Sequence, residues 1–236
     1  MLHLKNNLSK YSIGFVLLIV CILIFSAKQW RKDDKVIAMD VVSYYAYLPA
    51  TFIFQDIKLE KKETFDKGLF WPEPLPDGNR VIKTSMGMSI LYSPFFFISH
   101  GIAKLSGDKA YGFSPVYKVG LLVSAVFYLF IGLFFLRRIL KIYFSEQIVA
   151  LTILTTVLGT NLLNYSTYDA CMSHSYNFAL INLFVWFTID WYRSPRLFNL
   201  LLLGFLSGLI TMVRPSNLVI LLFFFIYGVF SIETLK

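Results

Sequence analysis

Charged residues are scarce in this chain. They fill 15% of 236 positions, whereas soluble domains carry about 25%. Cysteine occurs twice, as Cys21 inside an apolar run and Cys171 in a short polar segment. Two cysteines so placed make neither a disulfide framework nor a metal pattern. The chain has no G-x-S-x-G, no G-x-x-x-x-G-K-[ST] and no H-E-x-x-H, which argues against nucleophile-elbow, P-loop and zincin chemistry. Charges are also nearly missing from the apolar runs, which counts against a proton or ion relay.

What remains is largely apolar. Hydrophobic residues make up 57%, Phe alone occurs 24 times, and the mean hydropathy is +0.64. That exceeds what one water-soluble core could bury, so the expectation is an all-α, polytopic integral membrane protein; disordered and collagen-like classes are excluded. The net charge of +8 comes from 22 Lys and Arg against 14 Asp and Glu. These cations cluster at the ends of apolar runs, where they set membrane topology; membrane lipids, not nucleic acid, are the expected partners.

Stretches approaching about 20 apolar residues predict six spans, over residues 11–27, 116–136, 148–163, 176–189, 197–213 and 218–232. A seventh stretch, 86–105, decides the topology. Were it to span, Arg137, Arg138, Lys141, Arg193 and Arg196 would fall outside, reversing the bias of short cytoplasmic loops toward Lys and Arg. Lying along the outer interface, it leaves those residues inside with Lys5 and Lys10. At about 100° per residue, Ser85, Ser89, Ser93, His100 and Lys104 also fall in one arc, the polar stripe of an interfacial helix. The expected plan is a single transmembrane domain over 1–236. Residues 1–27 form a cytoplasmic tail and first span, 28–115 an outer loop with two juxtamembrane amphipathic helices, and 116–236 the remaining spans. The expected location is the inner (plasma) membrane with a cytoplasmic N-terminus. The chain stops directly after an apolar run, as a truncated version of a longer protein would.

Polar chemistry concentrates in the outer segments. Asp40 precedes the aromatic stretch Tyr44-Tyr45-Ala46-Tyr47, which suits a helix at headgroup level, and could act there as a general base. The plain alternative is a solvated helix cap. Lys83 and Arg214 could pair with phosphate, Arg214 bidentately, or Arg214 could simply snorkel at a membrane boundary. Asp169 and His174 could converge in a loop to hold a divalent metal or assist proton transfer, against His174 capping the next span. Gly204 and Gly208 make a small-xxx-small pair, which most simply means close helix packing.

In this order the segments resemble the type C fold glycosyltransferases, membrane enzymes that include protein O-mannosyltransferases and aminoarabinose transferases. Asp40 with Tyr44-Tyr45-Ala46-Tyr47-Leu48-Pro49 is similar to that family's acidic loop start. Lys83-Thr84-Ser85-Met86-Gly87 resembles its K-Y-P-x-G segment, with Thr84-Ser85 in place of Tyr-Pro. Residues 165–169 resemble the outer segment ending in an acidic residue, and residues 204–215 the G-x-x-x-G-L-x-x-x-x-R-P stretch. Met172-Ser173-His174 with Gly159-Thr160-Asn161 resembles a bacterial, Bacteroidetes-like subgroup. Val41 and Val42 stand where a paired acidic motif would continue. The resemblance implies transfer of a hexosyl-type sugar from a polyprenyl-phosphate donor to a lipid, glycan or protein acceptor at the outer membrane face, in cell-envelope assembly. It implies Asp40 as base, Arg214 and Lys83 on the donor phosphate, and Asp169 and His174 shaping the site. The competing expectation is a non-catalytic protein that binds lipid-linked sugars or assists their transport.

Overall fold

The computed structural model describes residues 7–59, 75–78, 80–82 and 84–229, and all regular structure among them is helical. The helices are α1 (Leu8–Ala27), α2 (Asp40–Tyr45), α3 (Tyr47–Phe52), α4 (Gly87–Ser106), α5 (Pro115–Leu140), α6 (Glu146–Leu158), α7 (Asn164–Thr167), α8 (Ser173–Arg193), α9 (Leu197–Val213) and α10 (Leu221–Tyr227). Short 3-10 turns occupy Gln29–Arg31 and Pro215–Ile220. Local chemistry sets the boundaries. Gly107 closes α4 in the left-handed region at φ 76°, Pro115 opens α5 at its first position, and α9 stops before Arg214-Pro215 because Pro disfavours helix in the residue before it.

Two of these helices, α1 with its following turn and α5, are long and apolar enough to cross a membrane. Of the other four expected spans, three fall in shorter apolar helices, Glu146–Leu158, Leu197–Val213 and Pro215–Tyr227, and the 21 residues of α8 are not apolar enough to count. The 13 residues of α6 rise about 20 Å at about 1.5 Å each, short of a hydrocarbon core of about 30 Å. It ends at Gly159, and a turn and α7 take up the next residues. Past Pro215 the chain makes a 3-10 turn before the seven residues of α10, and residues 230–232 lie outside the described part.

Helix α5 is the central strut, packed by α1, α4, α6 and α8. It packs tightly on α8 at Gly132, where a Cβ would lie 2.4 Å from Phe178 Cδ1 and 3.2 Å from Ala179 Cα. About two turns earlier on α5, the Ser124 and Tyr176 hydroxyls meet at 2.5 Å. Contacts of α4 with α5 run antiparallel between Tyr117 and Tyr128: His100 Nδ1 lies 2.5 Å from the Tyr117 hydroxyl, Ser99 abuts Gly120, and the Tyr128 hydroxyl donates to Leu91 O at 3.2 Å. Helix α4 therefore accompanies only the first half of α5.

The polar stripe of α4 does not form its outermost face. Ser89 is buried and donates to Tyr44 O, while the outward side carries Phe97, Ile98, Ile102 and Leu105. The aromatic stretch likewise folds inward. Tyr45 is fully buried, with its hydroxyl donating to Gly112 O at 2.5 Å, and Tyr47 donates to Thr84 O at 2.6 Å. The first of the two expected juxtamembrane helices is broken at Ala46 into α2 and α3. Gly204 and Gly208 also differ from expectation: both are exposed, with open space where a Cβ would stand, so neither mediates a close helix contact within the chain.

The bundle has two chemically different ends. At one, Glu146 Oε1 accepts from Ser9 N (2.9 Å) and Ser9 Oγ (2.5 Å). There Arg137 Nε donates to Ser9 Oγ at 2.6 Å, and Lys141 Nζ stands 3.1 Å from Glu146 Oε2. Arg138 lies 4.1 Å above the Trp186 ring, so the α5–α6 and α8–α9 connections share this end with the start of α1. Between the ends, exposed apolar side chains form continuous stripes, Tyr11-Phe15-Leu18-Ile22-Phe25 on α1 and Val119-Val123-Phe127-Phe130-Phe134 on α5.

Candidate functional site

The opposite end gathers most of the residues singled out in the sequence. Its loop from α1 is fixed by Lys118, a buried lysine in the first turn of α5, whose Nζ donates to Lys32 O (2.6 Å) and Asp33 O (3.2 Å). An ionisable residue inside an apolar run usually has a specific partner, and here it holds the backbone that leads to Asp40. Met39, at φ 51°, turns the chain, and Asp40 opens α2. Asp40 is the first helical residue and not the cap, which is Met39. Its carboxylate is exposed.

Asp40 and Asp169 line the same cleft, of about 570 Å³, with Asp34, Lys35, Tyr165 and Tyr168. Asp169 follows α7 and is braced by Asn164, whose Nδ2 donates to Asp169 Oδ2 at 2.7 Å. The floor is held by Tyr92 of α4, donating to Cys171 O. Burial pushes the Cys171 thiol up, so it is no thiolate nucleophile. His174 is the second residue of α8, whose cap is Met172; it stacks on Tyr165 with ring centroids 3.6 Å apart. Burial lowers its pKa from 6.5, the Arg214 charge lowers it further, and Asp169 opposes both. His174 is therefore neutral at pH 7, and Arg214 and Asp169 are its electrostatic neighbours.

The chain matches no protein-family model, and neither a curated protein nor a solved structure is significantly similar to it.

Arg214 is exposed at the end of α9, its charge is felt at His174, and it is not on the wall of the Asp40 cleft. Lys83 lies outside the described residues. The segment just after it is stapled to the approach to Arg214: Ser85 Oγ donates to Met212 O, and Gly87 packs on the Met212–Val213 backbone. Several buried polar atoms in this region have no hydrogen-bond partner among the described residues, including Thr84 Oγ1, Ser173 Oγ and Asn217 Nδ2. Each neighbours the Arg214 region in the chain or through a bond: Thr84 precedes Ser85, Ser173 precedes His174, and Asn217 N–H donates to Arg214 O at 2.9 Å. No group of three His, Cys, Asp or Glu side chains among the described residues is placed to hold a metal ion.

The Gly87 contact makes a direct expectation. A Cβ at Gly87 would lie 2.6 Å from both Met212 C and Val213 N. These are backbone atoms that no rotamer change can relieve. Gly87→Ala should destabilise the protein by about 1–3 kcal/mol and part α4 from the end of α9, read as a lowered thermal midpoint in detergent. An unchanged midpoint would show that the two helices do not meet as closely as described.

Proposed function

We propose that the chain is a membrane glycosyltransferase that moves a sugar from a polyprenyl-phosphate donor onto an acceptor hydroxyl at the non-cytoplasmic face. The observation that carries this reading is one cleft holding Asp40 and Asp169, with the Arg214 charge felt at His174, which stacks on the cleft residue Tyr165. In the reaction, Asp40 takes the acceptor hydroxyl proton while that oxygen attacks the sugar's anomeric carbon. The bond to the donor phosphate breaks, and Arg214 balances the charge left on it. Asp169 binds sugar hydroxyls, and the neutral His174 and Tyr165 fix that wall.

Placement in a bilayer follows the same reading. The stripes on α1 and α5 face lipid, α8 and α9 complete the embedded bundle, and the shorter α6 and α10 fill its sides. The end carrying Arg137, Arg138 and Lys141 faces the cytoplasm, in keeping with the positive-inside bias. The end carrying Asp40 faces outward, where α4 rests at the interface. The test is incubation of the purified full chain in lipid nanodiscs with labelled polyprenyl-phosphate sugars. Time-dependent loss of the sugar-phosphate bond supports the proposal. An intact donor across hexose and pentose forms, with lipid and glycan acceptors supplied, refutes it.

A further inference from the structure

The cleft at Asp40 has an apolar neighbour. A second cavity, apolar and of about 560 Å³, lies between α1 and α5, walled by Cys21, Phe25, Trp30, Val119, Val123 and Phe127. Leu122 is a wall of both cavities. Gln29 and Trp30, consecutive in the turn after α1, line one each. Both volumes fall within the roughly 300–1,000 Å³ typical of ligand sites. The apolar part meets the exposed stripes of α1 and α5, so a ligand could reach it from within the bilayer. A polar cleft beside an apolar groove, with Leu122 lining both, has the shape of an amphiphile.

Charge decides which amphiphile. The cleft wall carries Asp34, Asp40 and Asp169 against Lys35 alone, and Lys35 stands 3.8 Å from Asp34. An anionic head would face a net excess of carboxylate, whereas hydroxyl groups can donate to it. Arg214, the cation suited to a phosphate, is absent from this wall. We infer that the α1–α5 groove and the Asp40 cleft together bind the acceptor, and that it is a neutral, hydroxylated headgroup on an aliphatic chain. This rests on the glycosyltransferase reading for the word acceptor. The donor phosphate then keeps a separate place at Arg214, and transfer runs between the two.

The test needs no turnover. The full chain in nanodiscs is irradiated with an alkyl glucoside carrying a diazirine in its chain, and labelled peptides are mapped by mass spectrometry. Label should fall on the peptides holding Cys21 and Val119–Phe127. Excess dodecyl glucoside should suppress it, and dodecyl phosphate should not. Val123 is exposed, so Val123→Trp should fold and fill the groove, cutting the labelling roughly tenfold, equivalent to about 1.4 kcal/mol. Label spread evenly over the lipid-facing helices, or equal suppression by the phosphate, overturns the inference. A chain that labels as expected yet transfers no sugar keeps the amphiphile site and loses the enzyme reading. A chain that transfers sugar to a soluble acceptor but is not labelled in this groove loses only the amphiphile site.

Discussion

Asp40→Asn is expected to lower the transfer rate by a factor on the order of 10²–10⁴, the usual contribution of a positioned general base. The substitution keeps size and shape and removes the ability to take a proton. Asp40 is exposed at the first position of α2 and supplies no capping hydrogen bond, so the fold has little to lose. Exposed changes of this kind stay within about 0.5 kcal/mol of the parent. The thermal midpoint should therefore hold while the rate collapses. Asp169→Asn is the matched comparison from the same cleft, because an amide oxygen can still accept from Asn164. Asp169→Asn should chiefly raise the substrate concentration needed. The assay is donor consumption at saturating acceptor. Undiminished turnover by Asp40→Asn in a folded chain ends the base assignment, and a larger rate loss from Asp169→Asn transfers the role to that residue.

Glu146→Ala acts at the other end and on stability. The carboxylate is the hub joining Ser9 of α1 to Arg137 and Lys141 of α5 and its loop, and only 13% of its side chain is exposed. Removing it leaves Arg137, 11% exposed, without its counter-charge. Both partners are only partly buried, so the loss is smaller than for a fully buried pair, about 1–3 kcal/mol, and the thermal midpoint should drop by about 5 °C. The same group gives a pH signature. Burial works to raise its pKa, but the bonds from Ser9 and the Lys141 charge prevail and carry it below 4.5. A carboxylate lowered in the native state lends stability above its ordinary value and loses it as pH falls through the lowered native value. The protein should therefore loosen in acid below about pH 4.5, and Glu146→Gln should flatten that limb. Matching acid profiles for the two proteins would remove Glu146 from the cause.

Much of this was legible in the sequence because it depends on one-dimensional quantities. Scarce charge and long apolar runs dictate helices, since a backbone cut off from water must bond within its own segment. Clustered Arg137, Arg138, Lys141, Arg193 and Arg196 mark one end without reference to packing. Asp40 and Asp169 stand out as carboxylates bordering apolar runs. A Lys in the first turn of an apolar run, Lys118, was an equally readable signal, although its partners were not.

Tertiary structure alone decided the rest. Hydropathy counts residues and does not see where a helix breaks, so a break at Gly159 and a 3-10 turn through Ile220 shortened two runs that composition had marked as spans. Periodicity assigns polar residues to one face but cannot say whether that face meets water or another helix; Ser89 meets Tyr44. Spacing of Gly204 and Gly208 permits close packing, yet the neighbouring helices leave both open. Above all, the meeting of Asp40 with Asp169, 129 positions apart in the chain, depends on α8 packing along α5 and on Lys118 holding the loop. Residue types along the chain settle which groups can do chemistry, and only the closing of long loops settles which of them share a cleft, because that closure is driven by packing summed over the whole bundle.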